Sequence, residues 1–285
     1  MKDQINSLNP EIVAEYHRMI DSQVRRCYAI AQDIRSIGRD VTRKVEIPLA
    51  TDMADRIEEL IGLPGIAARI RELSGKLSRE EVAINISRSV AAGIGMADRK
   101  TAIDKAVRVG LAILTEGILV APLEGIADIE ISGQGEEGYV SVVYSGPIRG
   151  AGGTAQALSV LIADVVRRDL GIGRYVATDE EIERYIEEIE SYNRIKHLQY
   201  LPTPDEIRLV LKNCPVMIDG EGSEEVEVSG HRDMKRIRTN RIRGGMCLVI
   251  GEGLIQKSKK VLKYTSSLGL NDWEFLSKLN ASDGS

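Results

Sequence analysis

The hydrophobic residues of this chain recur at helical spacing up to about residue 117, and there the period changes from 3.6 to 2. GIADIEIS and YVSVVYS alternate apolar and polar residues on either side of GQGEEG, which predicts a β-hairpin. Helical periodicity then resumes, broken by short strand-like runs at VMIDG and EEVEVS. A chain with that order of periods is expected to be α+β and predominantly helical, with a helical first part, a hairpin, and a mixed second part. The division is placed at residues 1–117 and 118–285, and one continuous domain would read the same way.

Capping residues set the helix limits. Asn9 followed by Pro10 is an N-cap and N1 pair, and Gly38 suits the position after the end, so residues 10–37 are predicted to form one long amphipathic helix. Val13, Tyr16, Ile20, Cys27, Ile30, Ile34 and Ile37 fall on it at alternating spacings of three and four, interrupted only by Gln23, which is the seam of a heptad. Such a stripe is covered either by a helix of another copy, which makes this an oligomerisation helix, or by the chain's own core. Further helices are expected over 52–61, 64–73, 78–92 and 99–116, with Gly62, Gly75 and Gly93 as stops and a capping box at Ser78 and Glu81. A helix is expected over 154–170. Capping boxes at Thr178 with Glu181 and Thr203 with Glu206 open two more. RGGMCLVIGEGLIQKSKKVLKY reads as one helix weakened by Gly251 and Gly253, and Asn271 caps a last short helix carrying Trp273 and Phe275.

With 43% hydrophobic residues but one Trp and one Phe, the core has to be built from Ile, Leu, Val and Ala. Cys27, Cys214 and Cys247 are far apart and odd in number, as expected of free thiols in a reducing cytoplasm. The N-terminal residues lack an apolar signal core, and no apolar run approaches the roughly 20 residues of a membrane span, so a soluble protein with no membrane partner is expected. The net charge of −5 supplies no global attraction for nucleic acid, which leaves local basic clusters.

Two stretches carry possible chemistry. SGPIRGAGGTAQAL places Gly146, Gly150, Gly152, Gly153 and Thr154 around Arg149 immediately before a helix. Glycines there either expose N–H groups to a phosphate at the helix N-terminus or let two backbones approach closely, and packing is the favoured reading. No Lys follows the last glycine, which excludes a Walker A loop, and no second parallel strand ending in an acid follows to complete a dinucleotide site. The second stretch, HRDMKRIRTNRIR, carries Arg232, Lys235, Arg236, Arg238, Arg241 and Arg243, with Lys257, Lys259, Lys260 and Lys263 following. Clustered cations without interleaved aromatics suit contacts with a DNA backbone, to which Arg149 would add one more. A solvated face balancing Glu221, Glu224, Glu225 and Glu227 is the alternative. The letters HRD lack the rest of a kinase loop. No metal site is expected: His17, His197 and His231 are isolated, and Asp128 with Glu130 most simply form the polar side of the hairpin.

The stretches VEIPLATDMADRIEELIGLPGIAARIREL, AILTEGILVAPLEGIADIEI, YSGPIRGAGGTAQALSVLIADVVRR, LQYLPTPDEIRLVLKN and TNRIRGGMCLVIGEG, in that order, resemble the N-terminal region of the large subunit of the archaeal family D DNA polymerases. The resemblance covers almost all of the chain after the first helix, although that subunit is several times longer. It implies a heterodimeric replicative polymerase that extends DNA with Mg²⁺, with a small subunit carrying a 3′ to 5′ exonuclease. The family's polymerase carboxylates and zinc cysteines lie beyond this stretch, so no catalytic or metal-binding residue carries over, and no cofactor is expected here, while Mg²⁺ and Zn²⁺ are expected for the full-length subunit. The implied role is a non-catalytic scaffold and assembly region whose partners are the small subunit, DNA, and a second copy through the first helix. The competing readings are a small nucleotide- or phosphate-binding enzyme using the glycine loop at 146–154, and a pure oligomerisation module.

Overall fold

The computed structural model describes residues 10–39, 50–116, 120–133 and 138–279. The chain divides into two compact units, Met1–Leu49 and Ala50–Ser285. In the first, helix α1 runs from Pro10 to Ser36 with Glu11 in its first turn and Arg35 in its last, each sign matching the dipole end it occupies. Gly38 follows in the left-handed region at φ 71°, where its N–H donates to the Arg35 carbonyl at 2.9 Å. The helix buries none of its residues. Tyr16, Cys27 and Ile30 of the heptad stripe are exposed, as are Ile20, Ile34 and Ile37. Val13 is half-buried.

The second unit opens with the four expected helices, α2 (Met53–Ile61), α3 (Ile66–Ser74), α4 (Arg79–Ile94) and α5 (Arg99–Leu114). Of these, α3 starts two residues later than Pro64, after Gly65 with no side-chain cap, and α5 stops two residues before Glu116. Asp52 caps α2, and the predicted box of Ser78 with Glu81 caps α4. The expected stop at Gly93 is a correction: α4 runs through it to Ile94, and Gly95 ends the helix at φ 80°. A short helix, α6 (Val120–Glu124), leads into strand β1 (Ile126–Ser132).

The hairpin of β1 with β2 (Tyr139–Tyr144) is antiparallel, with an irregularity between Ile126 and Asp128. Strand β3 (Met217–Gly220), the predicted VMIDG run, joins β2 in parallel register, Ser141 opposite Met217 and Tyr144 opposite Gly220. Between β2 and β3 the chain forms helices α7 (Gly153–Asp169), α8 (Asp179–Lys196) and α9 (Pro204–Asn213), a crossover of the kind a parallel pairing requires. Both predicted capping boxes, at Thr178 and Thr203, are formed. EEVEVS is not a strand; it contributes one isolated bridge, Glu227 to Arg241.

The helix expected from 243 to 264 is divided. α10 (Gly244–Leu248) passes into a π-helical segment at Val249–Ile255, and α11 (Ser258–Ser267) follows. A 3₁₀ turn at Asn271–Lys278 brings Trp273 and Phe275 into the interior. One hydrophobic core runs from Ala54 to Leu279, with α7 near its centre: thirteen consecutive residues of α7, Ala155 to Arg167, are buried. α5, from the helical first part, and α7 pack together in this core. The Trp273 indole N–H donates to Asp164 on α7 at 2.7 Å, which ties the C-terminal turn to the centre of the fold.

Candidate functional site

Two cations of the basic stretch, Arg236 and Arg243, turn inward, while Arg232, Lys235, Arg238 and Arg241 stay exposed. Arg243 is wholly buried, donating from Nη2 to Glu188 Oε1 at 2.8 Å and from Nη1 to Asp219 Oδ1 at 2.5 Å, with its carbon Cζ 4.5 Å from the centre of the Tyr185 ring. Burial alone would lower its pKa, but Glu188, Tyr185 and Asp219 hold it well above the ordinary value. Arg236 forks onto Glu181 at 2.6 and 2.5 Å, in the same carboxylate that completes the α8 capping box and accepts from the Tyr175 hydroxyl. Arg238 pairs with Glu130 on β1. Arg241 donates to the Glu224 carbonyl at 2.6 Å, and Arg232 to Glu227 at 2.6 Å.

Two expectations are thereby corrected. As a DNA-backbone contact Arg243 is excluded by burial between two carboxylates, and the stretch is not a free cationic face. It is a strap stitched to α8 and the sheet by ion pairs. Of the six, Lys235 and Arg241 are exposed with no charged partner among the described residues, Arg241 reaching only the Glu224 carbonyl. Asp128 and Glu130 do not converge on a metal either: Lys100 stands 3.3 Å from Asp128, and Arg238 holds Glu130.

The glycine loop serves packing at one position and backbone conformation at another. A Cβ at Gly153 would overlap the Glu252 carbonyl of the π segment, and one at Gly253 would meet Gln156 Cβ at 3.2 Å and Ala157 N at 3.3 Å. The two segments therefore cross glycine to backbone, each touching the other where a side chain is absent. Gly152 has open space around it but sits at φ 75°, the left-handed region that only glycine enters freely. Gly146 and Gly150 have neither constraint, lying in a 3₁₀ turn at Gly146–Ala151 with nothing within 4 Å of an added Cβ. Arg149 is exposed at the far side of that turn, beside Tyr192; burial raises the Tyr192 pKa and Arg149 opposes the rise.

On the other side of the loop lies a cavity of about 410 Å³, lined by Gly152, Gly153 and Thr154 at the start of α7, by Arg79 and Glu80 at the start of α4, and by Lys257 and Lys260. No side chain caps α7, so its first N–H groups have no side-chain acceptor. Lys257 Cε stands 3.3 Å from the position a Gly153 Cβ would take. Arg79 pairs with Glu116, whereas Lys257 and Lys260 have no acid within salt-bridge distance among the described residues. Reading the sequence grouped these lysines with the arginine stretch; the fold separates them from it and sets them against the glycine loop, with Arg79, which no local motif marked.

Among the described residues each buried carboxylate is engaged. Asp164 accepts from Trp273 and Arg168, Glu188 from Arg184 and Arg243, Asp219 from Arg243, and Glu252 from the Gln199 N–H at 2.9 Å. Among the described residues no three His, Cys, Asp or Glu side chains are grouped to hold a metal ion. Cys214 and Cys247 are free and buried, and burial pushes the Cys214 thiol up to about 12, so it is unreactive at neutral pH. No described helix is long and apolar enough to cross a membrane.

These elements make a predominantly helical α+β domain whose buried carboxylates are paired with arginines or hydrogen-bonded within the fold. The family model for the N-terminal region of the DNA polymerase II large subunit DP2 matches residues 15–282, and the chain belongs to that family. It is 68% identical over 267 residues to the DNA polymerase II large subunit of Thermoplasma volcanium, covering 93% of this chain and 24% of that protein. With the Thermoplasma acidophilum subunit it shares 65% over 277 residues, 96% of this chain and 25% of the relative. With that of Methanosarcina barkeri it shares 53% over 266 residues, 92% and 23%. The chain thus spans about a quarter of the length of these curated relatives.

Proposed function

We propose that this region is a non-catalytic scaffold within the large subunit of a heterodimeric, cytoplasmic replicative DNA polymerase, and that the polymerase and metal-binding residues, with their Mg²⁺ and Zn²⁺, belong to the remainder of that subunit. The observation that carries this reading is the internal pairing of the buried carboxylates. Two-metal phosphoryl transfer needs acids free to hold ions, and here Asp164, Glu188 and Asp219 neutralise arginines instead. The small exonuclease subunit is the partner this scaffold would serve, and a second copy would cover the apolar stripe of α1. The test is a primer-extension assay on the isolated chain with deoxynucleotides and Mg²⁺, run beside co-purification with the small subunit and light scattering. No extension together with a mass equal to a defined complex supports the reading; extension by the isolated chain overturns it.

A further inference from the structure

We propose that the cavity between the starts of α4 and α7, Lys257 and Lys260 is a binding site for a phosphate group. This assignment rests on the concavity and its charges, and it stands apart from the scaffold reading. Three cationic side chains, Arg79, Lys257 and Lys260, line one cavity of about 410 Å³, within the roughly 300–1,000 Å³ range of small-ligand sites. Glu80 is the one acid in the lining, and Glu116 pairs with Arg79 from outside it, so one positive charge is left unbalanced.

The placement of Lys257 sharpens the point. Its side chain passes over Gly153, the first residue of α7, where the helix dipole is positive and no capping side chain is present. An ammonium group at a helix N-terminus is repelled by it, and a bound anion between the two converts both interactions to attraction. Thr154, half-buried in the lining and without a hydrogen-bond partner for its hydroxyl among the described residues, adds a neutral donor on the same wall. Gly153 is held in place by the Glu252 crossing, so the wall is preformed rather than mobile. No aromatic residue lines the cavity, and the apolar part of the lining is small, Leu114, Ala151 and Ala155. Recognition is therefore of the phosphate and not of a stacked base.

The phosphate can come from a nucleic-acid strand or from a free anion, and titration of the whole 285-residue chain separates the two. Inorganic pyrophosphate and a single-stranded oligodeoxynucleotide are titrated calorimetrically into the wild-type protein, the Lys257→Gln/Lys260→Gln double variant, and a Lys212→Gln control, Lys212 being paired with Asp179 on another face. The double variant is expected to lose about tenfold or more in affinity for at least one ligand, as the removal of two charge-assisted donors implies, while the control is unchanged. Because like charges are being removed, its unfolding midpoint is expected to equal or exceed that of the wild type. Exposed Lys260, changed alone to Gln, is expected to weaken the same ligand by a smaller factor, which keeps the test valid if the double variant unfolds. Weakened oligonucleotide binding with a salt slope flattened by about two units assigns the phosphate to a strand; weakened pyrophosphate binding with oligonucleotide affinity unchanged assigns it to a free anion. Absence of binding by the wild type, or equal binding by wild type and lysine variants, overturns the proposal. Primer extension and co-purification are unaffected by that result, so the scaffold reading stands or falls separately.

Discussion

Arg243 and Glu188 meet with no solvent exposure on either side chain, 2.8 Å apart at the nearest ion-pair atoms. Glu188 also accepts from Arg184 at 2.6 Å, and Arg184 in turn donates to the His231 and Thr239 carbonyls, so two residues of α8 anchor both ends of the arginine strap. Arg243→Ala leaves the buried Asp219 without a counter-charge and Glu188 with Arg184 alone, and is expected to destabilise the fold by about 3–5 kcal/mol. Lys235→Ala, at an exposed and unpaired position of the same strap, is expected to change stability by less than about 0.5 kcal/mol. Urea unfolding of the two variants makes the comparison, and similar losses would mean that the strap is held by something other than its buried charges.

The glycine loop yields a graded series. Gly153→Ala drives a Cβ into the Glu252 backbone, which has no rotamer to relax into, and an overpacking loss of about 1–3 kcal/mol is expected. Gly152→Ala is penalised by its φ of 75° rather than by contact, with a loss of about 1 kcal/mol or more. Gly150→Ala meets neither obstacle and is expected to be neutral. The order of the three midpoints in denaturant, 153 lowest and 150 highest, is the readout.

Acid sensitivity has an assignable surface contribution at Asp52. The guanidinium of Arg71, followed by the Asp55 N–H, holds the Asp52 carboxyl at about 2 against an ordinary 3.8. The folded pKa is the lower one, so the stabilisation is fully present above pH 3.8 and is lost as pH falls toward 2. Asp52→Asn should therefore melt below wild type at neutral pH and approach it as the pH is lowered through that window. A melting difference that stays constant across it would mean that Asp52 acts only as a neutral cap of α2.

On α1, Ile20 and Ile34 are exposed and the helix buries none of its residues. Changing both to Lys is expected to leave far-ultraviolet circular dichroism within error of wild type while lowering the mass measured by light scattering, provided a second helix covers the stripe. Loss of helicity, or an unchanged mass, would remove the pairing role of the stripe.

Much of the fold was legible where a local rule applies within a few residues. Ser78 with Glu81, Thr178 with Glu181 and Thr203 with Glu206 each mark a helix start by pairing side chain and backbone three positions apart, and all three boxes are formed. The hairpin was legible because a period of 2 has no helical counterpart. The arginine stretch misled because a cation's partner is set by tertiary contact: Arg236 meets Glu181 and Arg243 meets Glu188 across 55 positions, and Arg238 meets Glu130 across 108. EEVEVS has strand composition but only one bridge partner, Arg241, on a segment otherwise occupied with ion pairs. The cavity was hidden for the same reason, since Arg79, Gly153 and Lys257 come from three distant segments.

The π-helical turn at Val249–Ile255 is, in geometric terms, one residue more than an α-helix needs over the same span. Each residue of an α-helix turns by about 100°, so a surplus residue wound at α pitch would swing the face bearing Lys257 and Lys260 by that angle, away from the start of α7 and out of line with the buried Val261. The wider π turn absorbs that residue with less rotation at each step, and the face stays where it is. Removing Gly251 would therefore restore α pitch with the following helix still in phase. The segment acts as a phase adjuster between two stretches of helix, one facing the centre of the fold and the other presenting lysines at its edge.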